Sequence, residues 1–142
     1  MKVFIDTSSL FKLYHYESGT DELIRIFELY NIERIYLAEI TKIEFSSVVW
    51  KKCREKLISP EIAKKVINIF NEDAVNYYFI FDDKGIKENA VNLIAKYWQT
   101  GLRTLDSIQL ACALEVKDEI EYVFTSDNIL AKSCVEEGIA TL

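Results

Sequence analysis

Four short apolar runs, separated by pairs of helical segments, constrain this chain more than any other feature. Residues 3–5, 34–38, 77–81 and 122–125 are largely continuous in their hydrophobicity rather than alternating, the pattern of strands buried on both faces. Between them the apolar positions recur at helical spacing. Strand and helix pair in repeated succession predict a parallel sheet covered on both sides, a three-layer α/β/α sandwich of the α/β class.

The helical segments are expected over residues 8–16, 20–30, 41–57, 60–70, 86–98, 104–115 and 127–137. Thr20 reads as the cap of the second, Asp82 of the fifth, and Ser59 followed by Pro60 as the start of the fourth. Gly101 and Gly138 end helices, and residues 139–141 are expected to add a short fifth strand. With 142 residues and neither repeat nor linker, the chain is expected to be one domain spanning 1–142.

Composition narrows the class. Only four glycines and one proline leave little material for the turns of an all-β fold. Cys53, Cys112 and Cys134 are far apart and lack any C-x-x-C spacing, so they read as reduced core thiols of a cytoplasmic protein rather than zinc ligands. No signal peptide and no membrane span are expected. A net charge of −6 argues against a broad surface that coats nucleic acid, but it is compatible with carboxylates clustered to hold cations.

The carboxylates carry the chemistry. Asp6 ends the first strand, Glu44 stands early in the third helix, Asp106 early in the penultimate helix, and Asp127 just past the fourth strand. In a parallel sheet these positions share one edge, where α/β folds place ligands. Carboxylates gathered there need cations, and oxygen-only ligands favour Mg²⁺ or Mn²⁺. Metal-assisted phosphodiester cleavage is the matching chemistry.

Each position also has a structural reading. Asp6 and Asp127 suit helix caps, and Asp106 suits the dipole of a first helical turn. Thr41-Lys42-Ile43-Glu44 satisfies the capping box, which would turn Glu44 away from a metal and leave Glu39 as a substitute. Arg103 can pair with a carboxylate or a phosphate, or stand solvated.

Four stretches together resemble the PIN domain family of metal-dependent ribonucleases, and within it the small toxins of the VapC type. They are Phe4-Ile5-Asp6-Thr7-Ser8-Ser9-Leu10, Thr41-Lys42-Ile43-Glu44, Leu102-Arg103-Thr104-Leu105-Asp106-Ser107-Ile108-Gln109-Leu110-Ala111 and Phe124-Thr125-Ser126-Asp127. The resemblance implies a parallel five-stranded sheet and a Mg²⁺ or Mn²⁺ site formed by Asp6, Glu44, Asp106 and Asp127. Thr7, Ser8 and Ser126 fall where hydroxyls support such ligands, and Arg103 is a candidate for substrate. The resemblance further implies RNA of single-strand character as substrate, an antitoxin partner and a homodimer. Ser107 and Gln109 stand where the family often has Ala and His.

Two other functions share part of this pattern. A phosphoaspartyl hydrolase also carries an Asp after its first strand, but wants a second Asp at the position held by Ser8. A non-catalytic PIN-like module for protein partners would be expected to lose some of the carboxylates, whereas all four are present.

Overall fold

The computed structural model describes residues 1–142. Its elements are β1 (Lys2–Ile5), α1 (Thr7–Phe11), α2 (Thr20–Leu29), β2 (Arg34–Ala38), α3 (Thr41–Arg54), α4 (Pro60–Asp73), β3 (Tyr78–Ile80), α5 (Lys84–Lys96), α6 (Thr104–Glu115), β4 (Tyr122–Phe124) and α7 (Asn128–Glu136), with a 3₁₀ turn at Ala74–Asn76. The strands form one sheet in the order β3-β2-β1-β4. Every pairing is parallel, and Val3 of β1 stands between Ile35 of β2 and Tyr122 of β4.

Side chains that alternate across the strands feed two separate cores. Phe4, Tyr36, Ala38 and Val123 pack under α5, α6 and α7, through Leu93, Leu110 and Leu130 among others. Val3, Ile5, Leu37 and Phe124 face the opposite way, against Leu10, Phe11, Phe45, Val49, Val66 and Phe70 from α1, α3 and α4. Phe45 and Phe70 stack with ring centroids 4.2 Å apart, which ties α3 to α4. The sheet is therefore the middle of three layers.

The expected fifth strand is reduced to a single parallel bridge, Thr141 against Val123. The chain turns out of α7 at Gly138, where φ is +79°, and pairs beyond β4 only at its last residues. Helix boundaries differ in physically readable ways. The first helix stops at Phe11 rather than 16, and the α2 cap position is Gly19 in the left-handed region at φ +88°, not Thr20, which is buried as the first helical residue. Asp83, not Asp82, caps α5, its Oδ1 accepting from the Ile86 amide at 3.0 Å, while Asp82 pairs with Lys87. Ser59 and Pro60 open α4 as expected.

β1 occupies the point where the connections diverge, β2 on one side and β4 on the other. In open parallel sheets that point leaves a crevice at the carboxyl ends of the strands. Asp6 lies there, and its amide donates to the Phe124 carbonyl at 3.0 Å, extending the β1–β4 ladder by one bond. No helix is long and apolar enough to cross a membrane.

Candidate active site

A cleft of about 360 Å³ opens at that edge, lined by Asp6, Thr7, Ser8, Glu44, Arg103, Asp106, Gln109 and Asp127 among others. The four carboxylates expected to share an edge do share this cleft.

Asp6 is buried and caps α1, and the same carboxylate lines the cleft. Oδ1 accepts from the Ser9 amide at 2.9 Å and from Ser8 Oγ at 2.8 Å, and Oδ2 accepts from Thr125 Oγ1 at 2.7 Å. Burial pushes its pKa up, against the pull of these donors, and the Asp127 charge adds to the rise. Such a group favours either a proton or a cation beside it.

Asp127 likewise caps, with Oδ1 accepting from the Ile129 and Leu130 amides at 2.8 and 2.9 Å. Its Oδ2 is left for Arg103, whose Nη2 donates at 3.2 Å while Nε donates to Asp106 Oδ2 at 2.9 Å. The guanidinium thus bridges two of the four carboxylates. Arg103 is neither solvated alone nor directed at a vacant anion site, and the hydrogen bond to Asp106 raises its pKa further.

Glu44 does not close the capping box. The cap position of α3 is Ile40, without a side-chain cap, and Glu44 Oε1 accepts from Gln109 Nε2 at 3.0 Å. Desolvation raises the Glu44 pKa, and the charges of Asp6 and Asp106 raise it further. Glu39 is no substitute: it lines a different cleft, with Lys42 and Asp82, and lies 3.9 Å from the Lys42 ammonium.

The hydroxyls divide their work. Ser8 Oγ contacts both Asp6 oxygens and accepts from the Ser126 amide at 3.1 Å. Thr7 serves the other side, accepting from Gln109 Nε2 at 3.2 Å. Ser126 itself reaches Ser9 Oγ at 3.2 Å and no carboxylate. Thr125, which joins Asp6 to the Asp127 amide, and Gln109, in the cleft wall, contribute to the site beyond the expected site residues. Gln109 did leave a signal, as the one polar residue in the otherwise apolar run 108–114.

As a donor set, these carboxylates and hydroxyls fit a hard dication such as Mg²⁺ or Mn²⁺. No three of the chain's acidic, His or Cys side chains are drawn tightly enough together to enclose an ion as they stand. Like charges repel across the cleft, and Arg103 holds Asp106 and Asp127 to itself. The cysteines lie outside this chemistry: none forms a disulfide, and burial pushes the Cys112 and Cys134 thiols up to about 12.

Comparison with known proteins adds an independent observation. The family model of the PIN domain matches residues 3–135. Among solved structures, the chain is similar to VapC20 of Mycobacterium tuberculosis, described as a sarcin-ricin loop cleaving toxin, with a TM-score of 0.72 and 11% identity over 92% of this chain and 94% of that one. A toxin-antitoxin complex from Klebsiella pneumoniae matches with a TM-score of 0.62 and 21% identity over 88% and 86% of the respective chains. VapBC2 from Rickettsia felis, bound to a DNA fragment from its promoter, gives a TM-score of 0.65 and 15% identity over 100% and 98%. No curated protein matches in sequence.

Proposed function

The chain belongs to the PIN domain family, and from that premise we propose that it is a Mg²⁺- or Mn²⁺-dependent endoribonuclease, the toxin of a toxin-antitoxin pair. One observation carries the reading: Asp6, Glu44, Asp106 and Asp127 line a single cleft at the carboxyl edge of the sheet. Two of them, Asp6 and Glu44, are raised in pKa by burial. A site built only for stability has no use for buried acids that repel one another.

In this reading Asp6, Glu44, Asp106 and Asp127 hold the cation. When bound, Mg²⁺ or Mn²⁺ supplies charge to offset the phosphodiester's own and lowers the pKa of a water poised to attack. Ser8, Thr125 and the Ser9 amide keep the Asp6 carboxylate in one orientation. Arg103, exposed at the rim, is suited to take a phosphate oxygen once it leaves Asp106 and Asp127. The position two residues after Asp6, where a phosphoaspartyl hydrolase wants its second Asp, is held by Ser8.

The similar structures from Klebsiella and Rickettsia contain toxin-antitoxin assemblies, and VapC20 is described as cleaving the sarcin-ricin loop. We extend these to RNA as substrate, an antitoxin as partner, a homodimer as the free form and the cytoplasm as the place of action. The test is cleavage of a single-stranded RNA by the purified protein with Mn²⁺ or Mg²⁺. Activity that survives EDTA, or that persists in Asp6→Asn, overturns the reading.

A further inference from the structure

Gln109 is 2% exposed, yet it belongs to the wall of the cleft. Its Nε2 faces three oxygens: Glu44 Oε1 at 3.0 Å, and Thr7 Oγ1 and Thr41 Oγ1 at 3.2 Å each. Its own Oε1 is buried without any partner. Buried polar atoms are nearly always satisfied, so an orphan of this kind asks for a reason.

Turning the amide over would offer Oε1 the two threonine hydroxyls as donors. It would also set that oxygen against the Glu44 carboxylate with no hydrogen between them. The observed orientation leaves the Gln109 oxygen unpaired and supplies the Glu44 oxygen. Glu44 meanwhile stands at the spacing that would let it fold back on the start of α3, and it does not do so.

We propose that Gln109 is a positioning residue: its amide N–H draws the Glu44 carboxylate away from the start of α3 and holds it in the cleft with Asp6 and Asp106. Its geometry is independent of any activity, whereas its consequence for catalysis rests on the ribonuclease reading above. Thr7 and Thr41 are the other half of the device, because they fix the amide nitrogen over Glu44. Both threonines are buried, and their hydroxyls lie 3.4 Å apart.

Gln109→Met keeps the length and apolar bulk of the side chain and removes the donor, Gln109→Asn shortens the reach while keeping the amide, and Gln109→His keeps an N–H near the same place. Crystal structures of the variants are expected to show Glu44 swung toward the start of α3 in Met and Asn, and still in the cleft in His. Mn²⁺ affinity measured by calorimetry is expected to fall about tenfold in Met and Asn and to recover in His, the scale seen when a ligand's orienting partner is lost. With RNA, kcat falls by a similar factor while KM holds.

Glu44 unmoved in both Met and Asn overturns the proposal, as does wild-type Mn²⁺ affinity in those variants. A His variant as impaired as Met, with Glu44 held in the cleft, overturns it too. If the wild type cleaves no RNA, the ribonuclease reading fails, and the position of Glu44 in the crystals still decides the role of Gln109.

Discussion

Arg103, at the cap position of α6, places Nη2 3.2 Å from Asp127 Oδ2, at the cap position of α7. The same guanidinium holds Asp106 through Nε, so one exposed cation spans two carboxylates that otherwise repel. The side chain is 70% exposed, and solvent screening limits what the bridges add to stability to a few tenths of a kcal/mol each, about the range for surface pairs. Their effect is on what else can bind.

Arg103→Gln is therefore expected to leave the melting temperature within about 2 °C of wild type while tightening Mn²⁺ binding roughly threefold, because the ion no longer competes with the guanidinium. The same variant is expected to raise KM for RNA, having lost the group that reaches a phosphate. Calorimetry with Mn²⁺ and steady-state cleavage separate the two effects. Weaker Mn²⁺ binding would mean that Arg103 organises the carboxylates instead of occupying their place.

Asp6→Asn separates stability from activity at a buried charge. The amide oxygen can still accept from the Ser9 amide, and its nitrogen can donate to the oxygens of Ser8 and Thr125, while the cost of burying a carboxylate disappears. The metal-free variant is expected to melt at or above the wild-type temperature and to lose at least about 100-fold in cleavage, the scale at which a charged group at the reacting centre is felt. Thermal melts in EDTA beside cleavage assays check both signs, and a lower melting temperature with activity retained would contradict them.

Much of this arrangement is legible in the residue order, for reasons that differ from place to place. Asp6 stands directly after β1 and Asp127 shortly past the end of β4, and each acid caps the next helix and faces the crevice at once. Ser59-Pro60 and Gly138 act locally, so their reading needs no partner. Glu44 is different: the capping box is a local preference of modest energy, overruled by a tertiary partner 65 positions away, and no spacing in the chain announces that Gln109 will meet it. Arg103 likewise meets Asp127 only because α6 begins at the edge where β4 ends. The fifth strand failed for a similar reason, since only its final residues come alongside β4.

The raised carboxylates set a direction for pH dependence. Burial lifts Asp6 above its ordinary 3.8 and Glu44 above its ordinary 4.5, so the folded chain keeps these protons at pH values where the unfolded chain has released them. Stability from the pair is greatest below the ordinary values, falls as pH rises toward the raised ones, and is flat above them. Glu137 works the other way, its burial outweighed by hydrogen bonds from Lys96 and Tyr97 that lower its pKa. The difference in melting temperature between wild type and Asp6→Asn/Glu44→Gln, followed against pH in EDTA, cancels Glu137 and should fall as pH rises. In the ribonuclease reading cleavage needs the ionised carboxylates, and it is expected to rise with pH.

Ser8→Ala tests whether the hydroxyls around Asp6 matter for more than packing. Ser8 Oγ donates to the Asp6 carboxylate and accepts from the Ser126 amide, so its loss strips a donor from a buried acid and leaves an amide to find water. The direct cost to stability is about 1 kcal/mol, as for other hydrogen bonds of this kind. The sharper consequence is electrostatic. Ser8 is one of the donors that lower the Asp6 pKa against the burial that raises it, so removing it moves the Asp6 pKa upward. Mn²⁺ then competes with a more tightly held proton, and its affinity is expected to fall more at acid pH than at pH 8. A loss of affinity equal at both pH values would assign Ser8 to orientation alone, and no loss at either would leave Thr125 and the Ser9 amide sufficient to hold Asp6.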